Sequence, residues 1–257
     1  MPIIPIDDRN PRIFIPRPYI TWGMILACLA AYALQNQAGG RDDGELIYGL
    51  GVIPITLTGE ARLPPELYLI PPYLTLFSYM FLHGGLMHLA GNMLFLWVFG
   101  DNVEDAMGHV RFLVFYAICG VVAAGFQILF NFDSAVPMIG ASGAISGVLG
   151  AYLILHPRAR VLVPIYFIPV HLPAWLLLIG WFAMQSYAAF TDTTETVAWW
   201  AHIGGFLAGV ILVFPFRRKG LPLFGAADLT GGITQRDRLR WARQHKHEDR
   251  DRRGPWG

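Results

Sequence analysis

Four residues in this chain have the types and spacing to do covalent chemistry together: Ser142, His202, His88 and Asn92. A serine hydroxyl is a weak nucleophile until a base removes its proton, and a histidine titrates in the right range to be that base. Attack on a carbonyl builds an oxyanion that needs N–H donors. His88 and Asn92 stand four apart, on one face of a helix, and with the Ser142 amide they can supply those donors. No aspartate or glutamate falls in the apolar segments that hold Ser142 and His202. The expectation is a Ser–His dyad whose imidazole is oriented by packing instead of a carboxylate.

Blander readings compete at each position. Around the serine the chain reads Gly140-Ala141-Ser142-Gly143-Ala144-Ile145-Ser146-Gly147. Ala144 stands where the nucleophile elbow of soluble hydrolases needs glycine. Gly143 and Gly147 form a small-xxx-small face of the kind that lets helices pack closely. Ala201, Gly205 and Gly209 offer a matching face beside His202; if the two meet, packing and chemistry are one feature. A lone His202 has a minority reading as a satisfied polar contact, which its companions weaken. His83 and His88, five apart, would point apart on a helix, and there is no HExxH, so no metal site is expected. His171, between Pro169 and Pro173, reads as a loop residue. Cys28 and Cys119 lie in apolar runs, without a disulfide or zinc spacing.

The elements that must position these groups are membrane helices. The chain has 257 residues, 54% of them hydrophobic and 14% charged, with net charge +1 and mean hydropathy +0.45; a soluble domain carries about 25% charged residues. A span needs about 20 apolar residues. Six segments approach that: Tyr19–Gln37, Gly84–Gly100, Val110–Phe130, Met138–Leu155, Leu172–Phe190 and Val197–Phe216. The run from Val161 is broken by Pro164, Pro169 and Pro173, so its helix starts after them. The first run reads as a retained helix instead of a signal peptide. Arg158, Arg160, Arg217, Arg218 and Lys219 place both termini in the cytoplasm, against Asp133, Asp192 and Glu195 outside. The acidic stretch Asp101–Gly108 fits that scheme poorly, as a cytoplasmic loop. Leu67–Leu82 in the long first outer loop is apolar but broken by Pro71 and Pro72, so it reads as interfacial. Three parts follow: 1–18, an N-terminal cytoplasmic segment; 19–216, the six-helix domain; and 217–257, a charged cytoplasmic tail.

Polar groups inside spans are costly and mark function; here they are His88, Asn92, Ser142, Ser146, Gln185 and His202. Ser142, His88 and His202 each fall four to five residues inside their expected spans, and Asn92 one turn deeper. All four then share a layer about 6 to 12 Å below the outer surface.

Leu82-His83-Gly84-Gly85-Leu86-Met87-His88 running on to Asn92, then Gly140-Ala141-Ser142-Gly143, then Ala201-His202-Ile203-Gly204-Gly205 with Gly209, resemble the signatures of bacterial-type rhomboid intramembrane proteases. The resemblance covers essentially Tyr19 to Phe216. It implies an all-α membrane protein, a six-transmembrane-helix bundle whose site opens outward, with Ser142 as nucleophile, His202 as base and His88 and Asn92 as oxyanion donors. It also implies endopeptidase action on single-pass or polytopic membrane proteins in the bilayer, with no cofactor and no nucleic acid, in a bacterial inner membrane. Two departures stand out: no Trp-Arg pair occurs in the first outer loop, and Ser146 replaces a tyrosine that would stack on the base. Ser146, Trp199 and Trp200 are candidate substrate or cap contacts, the tryptophans equally interfacial anchors. The rivals are a solute transporter, for which no inverted repeat is visible, and a non-cutting relative, which would lack the serine or the histidine.

Overall fold

The computed structural model describes residues 5–8, 10–37, 43–165, 168–192 and 197–224. The charged tail beyond residue 224, and Asp42 and Glu195 of the outer loops, lie outside them. The chain is mostly helical. Among the described residues the six long helices are α1 (Tyr19–Gln37), α2 (Leu86–Met107), α3 (His109–Phe130), α4 (Ser142–Leu155), α5 (Ala174–Thr191) and α6 (Trp199–Phe216). Among the described residues α3, α5 and α6 are long and apolar enough to cross a membrane. A fourth span arises if the short helices of Pro65–Phe81 and α2, bent by 80° at their junction, count as one. α1 has 19 residues but closes on Gln35, Asn36 and Gln37, and α4 has only 14. Exposed Leu113, Val114, Ile179, Met184, Tyr187, Phe190, Ile211 and Phe214 leave the outside of the bundle apolar, as a lipid-facing surface is.

α4 is the central helix, buried along nearly its whole length, and α6 crosses it at backbone contact. A Cβ on Gly205 would lie 2.0 Å from the Gly143 carbonyl oxygen, and one on Gly209 1.9 Å from that of Gly147. Only glycine permits this approach. The two small-residue faces of the sequence therefore do meet.

Three boundaries differ from expectation. α2 runs to Met107, so Asp101, Glu104 and Asp105 belong to its last turns and not to a loop. The helix continues because the acids find donors in the N-terminal segment. Asp105 accepts the amides of Ile13, Phe14 and Ile15, each at 2.7 Å. Glu104 accepts those of Ile20 and Thr21 and the Thr21 hydroxyl. Arg12 pairs with Asp101 at 3.0 Å. Second, α4 begins at Ser142 instead of Met138, because Met138 pairs its backbone with Val52 and Gly140 takes φ +119°, which ends extended chain and starts helix.

Third, the proline-broken stretch is an antiparallel sheet, so the all-α reading needs correcting. Strands β1 (Asp7–Asp8), β2 (Arg160–Ile165) and β3 (Ile168–Pro173) pair in that order. His171 sits in β3 opposite Leu162, not in a loop. The Leu162 carbonyl turns to β1, accepting from the Ile6 amide. By the alternation of antiparallel ladders, the positions opposite Pro169 and Pro173 also lack β2–β3 hydrogen bonds, so the missing proline N–H groups leave no gap. The fifth expected span thus loses Leu172 and starts at Ala174. The sheet, the end of α2 and the chain after α6, whose Arg218 amide donates to the Ala106 carbonyl, share one end of the bundle.

Candidate active site

The site is assembled at the other end, where α2, α4 and α6 begin. Ser142 is the first residue of α4, which has no side-chain cap, so the leading amides of that helix have no intrahelical acceptor. His202 is the fourth residue of α6, and His88 and Asn92 are the third and seventh of α2. The four polar groups therefore gather at helix starts, shallower along their helices than the expected spans implied.

Ser142 Oγ lies 2.8 Å from His202 Nε2, within direct proton-transfer reach. The close crossing of α4 and α6 makes this separation attainable for so short a side chain. His202 Nδ1 lies 2.7 Å from Gln185 Oε1 on α5. The rings of Trp181 and Trp199 flank the imidazole, each with its centroid 6.0 Å away.

His88 and Asn92 converge on Gly140, two residues before the serine. The place a Cβ on Gly140 would occupy is 2.8 Å from His88 Nε2 and 3.6 Å from Asn92 Nδ2. His88 Nδ1 takes the Gly84 amide hydrogen at 3.4 Å, which puts the ring proton on Nε2, the atom turned to the loop before Ser142. Asn92 is buried and, among the described residues, its Nδ2 has no hydrogen-bond partner. Gly140 is fixed from behind: its amide donates to the Tyr79 carbonyl at 2.9 Å, while the Tyr79 hydroxyl donates to the Gly120 carbonyl.

The other candidates divide between contacts at the site and contacts away from it. Ser146 is buried, donates back to the Ser142 carbonyl at 2.7 Å and lies at the crossing of α4 with Gly205 of α6. Trp199 packs nearly perpendicular to the His202 ring and donates Nε1–H to Asp192 at 2.8 Å. Trp200 points away, stacked on Phe130 at 3.9 Å with Phe190 against its edge. His83 precedes the helix, so its ring meets that of His88 edge to face at 5.2 Å instead of pointing apart. Its backbone is held by the Gln35 amide. Gln127, Tyr79 and the contact of Gln185 with His202 escaped the sequence reading. Gln127 accepts the Ala201 amide at 3.3 Å and so ties α3 to the start of α6; its polarity within an apolar helix was the available signal.

A family model described as the rhomboid domain matches residues 72–219, the stretch from the short helices before α2 to the end of α6. Rhomboid protein 1, mitochondrial, of Saccharomyces cerevisiae is 28% identical over 181 residues, 65% of this chain and 51% of that protein. Rhomboid protease GluP of Bacillus subtilis is 31% identical over 137 residues, 53% of this chain and 24% of that protein. The human presenilin-associated rhomboid-like protein, mitochondrial, is 31% identical over 145 residues, 51% and 34% of the two chains. The chain thus spans from a quarter to half the length of these relatives. With more than half of its residues under the family model, this chain belongs to the rhomboid family.

Proposed function

We propose that this chain is an intramembrane serine endopeptidase that cuts membrane-protein substrates within or beside a transmembrane segment. The observation that carries the reading is the 2.8 Å contact between Ser142 Oγ and His202 Nε2, made between two separate helices. In this mechanism His202 takes the hydroxyl proton as Ser142 attacks the scissile carbonyl. His88 Nε2–H, Asn92 Nδ2–H and the Ser142 amide then meet the oxyanion. His202 returns the proton to the leaving amine, and a water activated by the same nitrogen hydrolyses the acyl-enzyme. A site at helix starts suits this chemistry, because water reaches it without crossing the apolar interior. The relative named a rhomboid protease supports the reaction class. No step calls for a metal or cofactor.

In the same reading all six long helices cross the bilayer as the domain 19–216. Residues 1–18 and 217–257 flank it on the cytoplasmic side, an orientation resting on Arg158, Arg160, Arg217, Arg218 and Lys219 at one end of the bundle. A bacterial inner membrane is the setting we assign; a mitochondrial membrane, named for two of the relatives, is the alternative. Cleavage of a model single-span substrate by wild type, Ser142→Ala and His202→Ala tests the reading. Both variants should be inactive, and equal cutting by either would refute it. Labelling of Ser142 by a fluorophosphonate tests nucleophilicity apart from substrate.

A further inference from the structure

An imidazole that serves as a base through Nε2 must carry its ring proton on Nδ1, and that N–H needs an acceptor where water is scarce. His202 Nε2 faces Ser142 Oγ at 2.8 Å. Its Nδ1 faces Gln185 Oε1 at 2.7 Å, the acceptor offered to it among the described residues. Gln185 is 4% exposed. The other buried residues of α5 are Ala174, Leu177 and Leu178. A buried amide in such a helix costs free energy unless it is hydrogen-bonded, and here its oxygen is spent on the imidazole.

Building on the serine-protease reading, we propose that Gln185 is the positioning residue of the site, its amide oxygen holding the His202 tautomer and ring orientation that leave Nε2 free to deprotonate Ser142. The direction of the amide decides the outcome. With the oxygen toward Nδ1 the ring is a base for the serine. With the amide turned over, the NH2 would donate to Nδ1, leaving Nε2–H against Ser142 and no base. A carboxylate would fix the same tautomer, but as a charge buried among apolar helices it would carry a large desolvation cost. Glutamine supplies the acceptor without the charge.

The test uses the full chain purified in detergent. Gln185→Leu removes the acceptor at similar volume, and Gln185→Glu keeps an oxygen at the same reach. Gln185→Leu should lower kcat about 10- to 100-fold on a single-span substrate while KM stays within about twofold. Fluorophosphonate labelling of Ser142 should slow by the same factor. Gln185→Glu should recover kcat to within about threefold of wild type, since it restores an acceptor. Independently of the folding of either Gln185 variant, 15N NMR of histidine-labelled wild type, with the His202 signal identified by its loss in His202→Ala, should show a neutral ring protonated at Nδ1. A ring protonated at Nε2 overturns the proposal, as does wild-type labelling by folded Gln185→Leu, or folded Gln185→Glu as slow as Gln185→Leu. If Ser142→Ala and His202→Ala are inactive while Gln185→Leu is normal, only the role of Gln185 falls. If the first two remain active, the protease reading falls with it.

Discussion

Gly205→Ala puts the dependence of the site on the α4–α6 crossing to a direct test. The added Cβ would stand 2.0 Å from the Gly143 carbonyl oxygen and 3.0 Å from its carbonyl carbon. The closest tolerable C···O contact is about 3.3 Å, so the helices must separate by about 1.3 Å. The neighbour is backbone, so no side chain can swing aside to absorb that distance. Gly143 follows Ser142, and Gly205 lies three residues after His202, so the separation passes straight to the 2.8 Å Ser142–His202 contact and stretches it to about 4 Å, beyond proton-transfer reach. A displacement of about 1 Å at reacting groups costs about 100-fold in rate, and overpacking costs about 1–3 kcal/mol in stability. Gly180→Ala in α5 is the control: its Cβ meets nothing within 4 Å, and alanine there gains about 0.5–1 kcal/mol of helix propensity. Fluorophosphonate labelling and thermal melting in detergent read both effects. If Gly205→Ala labels within twofold of wild type at an unchanged melting temperature, the argument from close approach is wrong.

Three further outcomes follow from the far end of the bundle and from the tryptophans. Asp105→Ala strips the acceptor from three amides of the N-terminal segment, so hydrogen exchange at Ile13, Phe14 and Ile15 should accelerate at least tenfold, as for a lost charge-assisted bond of about 1.5 kcal/mol; unchanged exchange refutes the clamp. Burial raises Asp8 to about 7 from 3.8, against the hydrogen bond from Tyr152 that lowers it. The folded chain keeps that proton to higher pH than the unfolded one. Its contribution to stability is therefore complete below pH 3.8 and is lost as the pH rises to about 7, and Asp8→Asn should flatten the fall in melting temperature over that window. Trp200→Ala loses the stack on Phe130 and should cost about 2 kcal/mol, roughly half the value for a fully buried tryptophan. Its labelling rate should hold while Trp199→Ala, which removes the ring packed perpendicular to His202, slows; the reverse order would exchange their roles.

The features legible in the sequence were those set by local composition and by glycine spacing. Apolar runs located α1, α3 and α6 to within two residues, because hydrophobic length is what a bilayer demands. The glycines at 143, 147, 205 and 209 announced a crossing that the backbone contacts of Gly205 and Gly209 make concrete. What was illegible depends on partners distant in the chain. Asp101, Glu104 and Asp105 read as a loop because charge ends a hydropathy window; their donors lie more than 80 residues earlier. The hairpin 160–173 was hidden by prolines that break a helix but fit the non-bonded positions of a narrow ladder. Gln185 was visible as a polar residue in a span, yet its role needed the direction in which His202 Nδ1 points.

The distribution of charge along α2 explains how one helix serves two ends of the molecule. Its 22 residues rise about 33 Å. The first two turns carry His88 and Asn92, groups that offer N–H donors without needing a charge. The last two carry Asp101, Glu104 and Asp105, whose oxygens are met by Arg12, by backbone amides, by the Thr21 hydroxyl and by His109. Buried carboxylates are tolerable only with such saturation. That saturation is available where the N-terminal segment wraps the helix end. At the other end Asn92 Nδ2 has no partner among the described residues, and a polar group left so in an apolar surround costs least when it is neutral. The N-terminal segment thus engages one end of α2, and His88 and Asn92 stand at the other.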